Sequence, residues 1–247
     1  MNKVELSKDI FVYENFLTPD ECAAAIKVLD KQAQNEKVKW MPISFYESYS
    51  SVLPQDGDPE LEEFGLPANF FSKVKDGIIT TVADVAGIDK SKVVQIGYHT
   101  QKWEPGAYAR AHSDNTEMDG SESPFERSRY ASFLYLNDDF EGGELRFINQ
   151  DISIKPKAGM LATFSGTFHN IHEVTMVKNK VRYTIGSFWD DREESEYPQE
   201  KRDLWSEQMK KIRAQQEEER SKWQELLKEG YKLDLENKKY KIGGPDE

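Results

Sequence analysis

The chain has a single cysteine, Cys22, among 247 residues. An intrachain disulfide is excluded, and a reducing, cytoplasmic setting is expected. Cys22 falls in a stretch with helical spacing and reads as a small core residue rather than a nucleophile. Long hydrophobic runs are also missing. No stretch approaches the roughly 20 apolar residues that a membrane span needs, so no membrane partner is expected. The opening residues, Met1 to Asp9, contain no apolar segment of the kind that marks a signal peptide. Positive charge is scarce: 33 Lys and Arg stand against 45 Asp and Glu, a net charge of −12. That balance argues against a protein that tracks nucleic-acid phosphates. Only four histidines occur, at 99, 112, 169 and 172, so they draw attention to one part of the chain.

Hydrophobic residues make up 37% and aromatics 12%, enough for the core of one large domain or two small ones. Residues 3–17 read as strand, most strongly Ile10–Leu17. Thr18-Pro-Asp-Glu then starts a helix, with Thr18 as N-cap, proline at the first position and acids in the first turn. It runs to about Gln34, with Cys22, Ile26 and Leu29 on one face. Residues 35–66 read as a long loop with one strand near Met41–Tyr49. Phe70, Val74, Ile78, Val82 and Val85 recur at helical spacing, and Gly87 ends that helix. From Lys92 the period becomes that of strands: 93–98, 130–136, 144–147, 152–154, 160–164, 172–177 and 181–189, separated by Gly and Pro turns. Short strands after two helices predict a mainly β, α+β fold, a sandwich or jelly roll with helices packed on one sheet. After Asp191 the composition turns to Glu, Lys, Gln and Arg. Trp205, Met209, Ile212, Trp223, Leu226 and Leu227 recur there at roughly helical spacing. The expected division is a domain over 1–195 and a charged helical extension over 196–247. The extension reads as a solvated helix pinned by a few aromatics; the functional alternatives are a lid, or a dimer or partner helix.

The chemistry concentrates between Tyr108 and Trp189. In a strand, residues i and i+2 share a face, so His112 and Asp114 are expected side by side. A histidine from a later strand would complete two nitrogens and one oxygen, a donor set suited to non-haem Fe(II) with open coordination positions. His172 opens the pattern His-Glu-Val-Thr-Met-Val and can face inward. His169, the rival, follows the Ser165-Gly166-Thr167 turn, where a surface histidine is common. His99 reads as structural or near the pocket mouth. Arg182, Thr184, Gly186 and Phe188 share one strand face. A buried arginine there needs an anionic partner, and its planar fork suits a carboxylate. Tyr135, on the Phe133 face of its own strand, can donate to the same group.

These residues resemble the 2-oxoglutarate- and Fe(II)-dependent dioxygenases, specifically their prolyl 4-hydroxylase branch. The resemblance is carried by Tyr108…His112-Ser-Asp114-Asn115, Leu134-Tyr135-Leu136-Asn137, Gly142-Gly143-Glu144-Leu145-Arg146-Phe147, Ile154-Lys-Pro156, and His172-Glu-Val with Arg182. Glu-Leu-Arg-Phe after the glycine pair is closer to the oxygen-sensor prolyl hydroxylases and their bacterial relatives than to the collagen-type enzymes. The resemblance spans about residues 9–190. It departs at Lys102-Trp103, where the family often has a tyrosine that touches 2-oxoglutarate.

The resemblance implies a double-stranded β-helix (jelly roll, cupin-like) core. It implies Fe(II) on His112, Asp114 and His172, with 2-oxoglutarate as co-substrate, O₂, and ascorbate as a further candidate. Arg182 and Tyr135 would hold the distal carboxylate, with Trp103 and Thr184 also expected beside the co-substrate. The implied reaction hydroxylates a prolyl residue in a peptide or protein, with 2-oxoglutarate converted to succinate and CO₂. The 40s loop and Glu117–Arg129 are the expected substrate loops, and a homodimer through the C-terminal helix is a further expectation. Two other readings stay open: hydroxylation of a free amino acid or small metabolite on the same core, and a non-catalytic cupin-like metal or ligand module.

Overall fold

Strands dominate the computed structural model, which describes residues 1–34, 40–43, 48–228, 231–234 and 239–242. In chain order these are β1 (Asn2–Ser7), β2 (Ile10–Glu14), α1 (Pro19–Gln34), β3 (Met41–Ile43), β4 (Ser48–Ser51), α2 (Pro59–Glu63) and α3 (Phe70–Ala86). Then come β5 (Val94–Trp103), β6 (Ala109–His112), β7 (Tyr130–Tyr135), β8 (Leu145–Phe147), β9 (Ile152–Ile154), β10 (Leu161–Ser165), β11 (His172–Val174) and β12 (Arg182–Asp190). The helix α4 (Gln199–Lys228) and the hairpin β13 (Tyr231–Asp234) with β14 (Lys239–Ile242) follow.

An eight-stranded antiparallel sheet runs in the order β1-β2-β10-β7-β12-β5-β4-β3, and a four-stranded sheet in the order β6-β11-β8-β9. Alternation along each strand sorts side chains into two cores. Phe11, Tyr13, Leu134, Leu161, Ile185 and Trp189 point to one side of the larger sheet. They pack there with Cys22, Val28 and Leu29 of α1 and Phe70, Val74, Ile78 and Val82 of α3. Ile10, Val12, Phe133, Tyr135, Ala162 and Phe164 point to the other side. They meet Leu145, Phe147, Ile154 and Val174 of the smaller sheet. The two sheets enclose the second core, a jelly-roll arrangement with helices on the outer face of the larger sheet, as expected.

Local chemistry explains the helix ends. Thr18 Oγ1 accepts from the Glu21 N–H at 3.2 Å while Glu21 Oε2 accepts from the Thr18 N–H at 2.8 Å, a reciprocal cap. Gly87 adopts φ 67°, and its N–H donates to the Ala83 carbonyl.

The structure differs from the sequence reading in four places. Residues 40–43 and 48–66 are not one loop: they hold the β3–β4 hairpin and α2, whose Leu61 is fully buried. Five residues are too few to display a helical period, so α2 left no pattern. β5 continues to Trp103 because it pairs with β12 on one side and β4 on the other. β6 stops at His112, so Asp114 lies beyond the strand and the expected shared strand face does not place it. The extension also holds a hairpin, β13–β14, that nothing in the charge pattern announced. The side chains of Trp223, Leu226 and Leu227, and residues 44–47 of the 40s loop, lie outside the described residues. Among the described residues, no helix is long and apolar enough to cross a membrane.

Candidate metal centre and anion pocket

β6 and β11 are antiparallel neighbours in the smaller sheet, and their register sets His112 directly opposite His172. The ring centroids lie 4.4 Å apart. Each imidazole is fixed through its inner nitrogen. His112 Nδ1 is 2.6 Å from the Arg110 carbonyl and His172 Nδ1 is 2.9 Å from the Asn170 carbonyl. A carbonyl only accepts, so both rings carry their proton on Nδ1. Each Nε2 is then unprotonated, the form in which an imidazole nitrogen coordinates a metal.

Asp114 reaches the same point through a turn. The Gly166 carbonyl accepts from the Asp114 N–H at 3.0 Å, the Asn115 N–H at 3.2 Å and Ser113 Oγ at 2.9 Å. This one carbonyl orients the carboxylate. Its oxygens sit 3.7 Å from His112 Nε2 and 3.7 Å from His172 Nε2. Donor atoms of His112, Asp114 and His172 all lie within 4.8 Å of one another, and all three residues are buried. Gly166 makes this approach possible. A Cβ there would stand 2.6 Å from the Ser128 carbonyl oxygen and 2.8 Å from Asp114 Cβ. The sequence marked Gly166 only as a turn residue, because a contact so far along the chain leaves no local signal.

Burial works against charge in this cluster. It pushes His172 down to about 4 and lowers His112, with His172 adding to the effect on His112. It pushes the Asp114 carboxyl up to about 6, with His112 opposing. Asp114 Oδ2 is buried and accepts no hydrogen bond. Two neutral imidazoles and an uncompensated carboxylate are what a divalent cation would complete.

His169 is not part of the cluster. It sits exposed in a short turn at Phe168–Asn170, and its carbonyl accepts from Asn149 and Gln150. His99 lies on β5 with Nε2 3.3 Å from Gln101 Nε2, stacked on Phe188.

Arg182 opens β12 opposite Trp103 of β5 and is 1% exposed. Its guanidinium lies 4.9 Å from the Trp103 ring centroid and 5.2 Å from that of Tyr135. Among the described residues no carboxylate comes within ion-pairing distance of it. Arg182 Nε and Nη1 and the Tyr135 hydroxyl are buried without a well-formed hydrogen bond. Burial lowers the Arg182 pKa, and the Tyr135 hydroxyl opposes that. An isolated buried guanidinium is costly unless an anion joins it. Trp103, Phe133, Leu145 and Val174 wall the pocket that joins Arg182 to His112 and His172. Thr184 is placed differently from the other co-substrate expectations: its hydroxyl donates to Gln101 Oε1 at 3.1 Å, inside the strand pair. Gly143 packs on the arginine stem, where a Cβ would stand 2.9 Å from Arg182 Cδ.

Residues 98–190 match the model of the 2OG-Fe(II) oxygenase superfamily. Over 86 residues, 30% of this chain, the sequence is 38% identical to human prolyl 3-hydroxylase 2, and the match spans 12% of that protein's length. The chicken prolyl 3-hydroxylase 2 is 37% identical over 86 residues. The fold is similar to a prolyl-4-hydroxylase of Pseudomonas putida, with TM-score 0.52 and 18% identity, covering 76% of this chain and 94% of that one. It is also similar to a Trichoplax adhaerens prolyl hydroxylase in complex with a hypoxia inducible factor oxygen degradation domain peptide fragment. There the TM-score is 0.54 and the identity 18%, over 80% of this chain and 87% of that one. A viral collagen prolyl hydroxylase from Paramecium bursaria chlorella virus-1, solved with 2OG, gives TM-score 0.53 at 17% identity, over 74% and 96% of the two chains.

Proposed function

We propose that this chain, whose residues 98–190 are a 2OG-Fe(II) oxygenase domain, hydroxylates a prolyl residue in a peptide or protein. The observation that carries the oxygenase chemistry is the buried Arg182, paired with no acid among the described residues and joined by one pocket to His112 and His172 of the His112–Asp114–His172 cluster. The prolyl substrate is supported by the names of the similar proteins. The sequence resembles the prolyl 4-hydroxylase branch, whereas the matched curated relatives are prolyl 3-hydroxylases, so the ring position is left to product analysis.

The residues fit the two groups that the family uses. His112, Asp114 and His172 would hold Fe(II), and Arg182 with Tyr135 would hold the distal carboxylate of 2-oxoglutarate. When bound, Fe(II) activates O₂ for hydroxylation coupled to conversion of 2-oxoglutarate to succinate and CO₂. The protein's own part is placement. The Arg110 and Asn170 carbonyls hold the imidazole tautomers, and the Gly166 carbonyl holds the turn that aims Asp114. Arg182 supplies a planar fork with two parallel donors to one carboxylate. Phe133, Leu145 and Val174 keep water from the walls and so strengthen every charge interaction inside.

A homodimer through α4 belongs to the same proposal. Its support is a long charged helix that leaves Leu204 exposed, and sedimentation of the full chain tests it. A cytoplasmic location is supported by the lone Cys22.

Succinate release from 2-oxoglutarate with Fe(II), measured with proline-containing peptides, free proline and a metabolite pool, tests the function. Release that rises with peptides, with one oxygen atom added to proline in the product, is expected. Release stimulated only by free amino acids or metabolites would replace the peptide reading. No Fe(II)-dependent release with any of them would leave a metal- or ligand-binding module.

A further inference from the structure

The segment between Asp114 and β7 is anchored to the metal site at both ends. At its start, the Asn115 N–H donates to the Gly166 carbonyl at 3.2 Å. At its end, the Gly166 N–H donates to the Arg129 carbonyl at 2.8 Å. Both feet of the 115–129 loop therefore stand on one glycine, next to a metal-binding carboxylate. The near half is tied by Thr116 Oγ1, which donates to Ser113 Oγ at 2.9 Å, and by a bridge between Thr116 and Glu122. The loop exposes two large apolar side chains, Met118 and Phe125.

The C-terminal segment grips the far half of this loop. Lys201, in the first turn of α4, places Nζ 2.6 Å from Glu126 and 3.0 Å from Glu122. Arg127 joins the fully buried Asp190 at 3.0 Å and Glu194 at 2.8 Å. Arg129 reaches Asp191 at 2.8 Å. The Tyr197 hydroxyl donates to Asp190, and Trp205 packs on Tyr197 with ring centroids 4.7 Å apart. Trp205 also lies under the Lys201 ammonium, 5.9 Å from it. Arg127 and Arg129 pair with residues at the end of β12 and just after it. Lys201 is different: it ties the loop to the helix of the extension, and it is the cation shared by Glu122 and Glu126. Without it two neighbouring carboxylates would repel each other.

We propose that Lys201 is a positioning residue. From α4 it holds the 115–129 loop at the edge of the metal site, and through that loop it sets affinity for the peptide or protein substrate. Fe(II) and 2-oxoglutarate would be held by residues of the strands and of the Gly166 turn, which Lys201 does not touch. A loop already ordered does not lose conformational entropy again when substrate binds, so the clamp strengthens binding without contacting the substrate. Selectivity at a site on a rigid scaffold usually resides in such flanking loops. The inference rests on the proposed prolyl reading for its substrate and on the contacts above for the clamp.

The test uses the full chain with K201A, K201R, K201E and the K201E/E126K pair. Three quantities are measured: amide hydrogen exchange across 115–129, KM for a proline-containing peptide, and 2-oxoglutarate affinity. K201A should speed exchange in the loop and raise the peptide KM about three- to tenfold, while 2-oxoglutarate affinity stays within about twofold. K201R should restore both, since arginine can serve two carboxylates. K201E should be worse than K201A, and adding E126K should recover part of the loss. Unchanged exchange in both K201A and K201E overturns the clamp. Equal losses of peptide and 2-oxoglutarate affinity overturn it too, because they mean general destabilisation. A wild-type chain that hydroxylates no proline peptide removes the substrate reading alone, and the exchange result then decides the clamp by itself.

Discussion

On the helix side of the larger sheet, buried hydroxyls complete one another. Thr163 Oγ1 lies 3.1 Å from Thr81 Oγ1 of α3 and 3.1 Å from Ser132 Oγ. Trp189 Nε1 donates to Ser187 Oγ at 2.9 Å, and Ser187 Oγ lies 3.3 Å from the Ser132 carbonyl as its donor. On the side facing the smaller sheet, Arg182, Tyr135 and Asp114 are also buried and keep polar atoms without a well-formed hydrogen bond. Tyr135 and Arg182 come from the same strands as Ser132 and Ser187, so burial alone does not explain the difference. A buried polar atom without a partner costs about 1–3 kcal/mol, more for a charge. In the pocket beside His112 and His172, a bound metal and an anion would offset that cost. The outer face holds the structure together, and the inner face is prepared for ligands.

The largest expected break in that contrast comes from the metal donors. His112→Ala, Asp114→Ala or His172→Ala should each abolish Fe(II)-dependent succinate formation, while His169→Ala keeps most of it. A titration of Fe(II) into each anaerobic variant checks this. Loss of binding in His169→Ala with retention in His172→Ala would reverse the ligand assignment.

Arg182 comes next. Removing one partner of a buried charge pair costs about 3–5 kcal/mol, and each 1.4 kcal/mol is about tenfold. Arg182→Ala should therefore weaken 2-oxoglutarate binding by about a hundred- to a few thousand-fold. Fe(II) binding should change little. Arg182→Lys should lose less, keeping the charge but not the fork. The charge-transfer band that develops when 2-oxoglutarate is added to the anaerobic Fe(II) protein reads both, and near wild-type affinity in Arg182→Ala would remove this residue from the carboxylate site.

Gly166→Ala sharpens the comparison on the metal side. The added Cβ would push on Asp114 Cβ and on the Ser128 carbonyl, and Fe(II) affinity should fall about ten- to a hundredfold, as for losses of groups that orient metal ligands. Wild-type affinity would show that the turn gives way without moving the carboxylate.

The smallest functional effect is expected on the outer face. Thr163→Val leaves Thr81 and Ser132 short of a partner and should lower stability by about 1–3 kcal/mol in urea denaturation. 2-Oxoglutarate affinity should not move. A matching loss of co-substrate binding would mean that the two faces are not energetically separate.

Much of this protein was legible where the signal is local. The Thr18 cap, the Gly87 stop, the α3 stripe and the strands expected at 130–136 and 181–189 depend on a few adjacent residues, and the structure has them, the strands at Tyr130–Tyr135 and Arg182–Asp190. α2 and the β13–β14 hairpin were not legible, the first because five residues cannot display a period and the second because its residues are as charged as the helix before it. His112 and Asp114 were expected together on one strand face. They do meet, but across the Gly166 turn, after the strand has ended.

The sequence by itself determined the donor types, their order, and the strand that carries Arg182, because residue identity and short spacing decide which side chains share a face. Only the tertiary structure decided that His112 stands opposite His172, that Gly166 aims Asp114, and that no acid among the described residues reaches Arg182. It also decided that the charged C-terminal segment holds the 115–129 loop through Lys201. Each of these is a pairing between residues far apart in the chain. Sheet register and loop closure set such pairings, and neither is encoded in any one window of sequence.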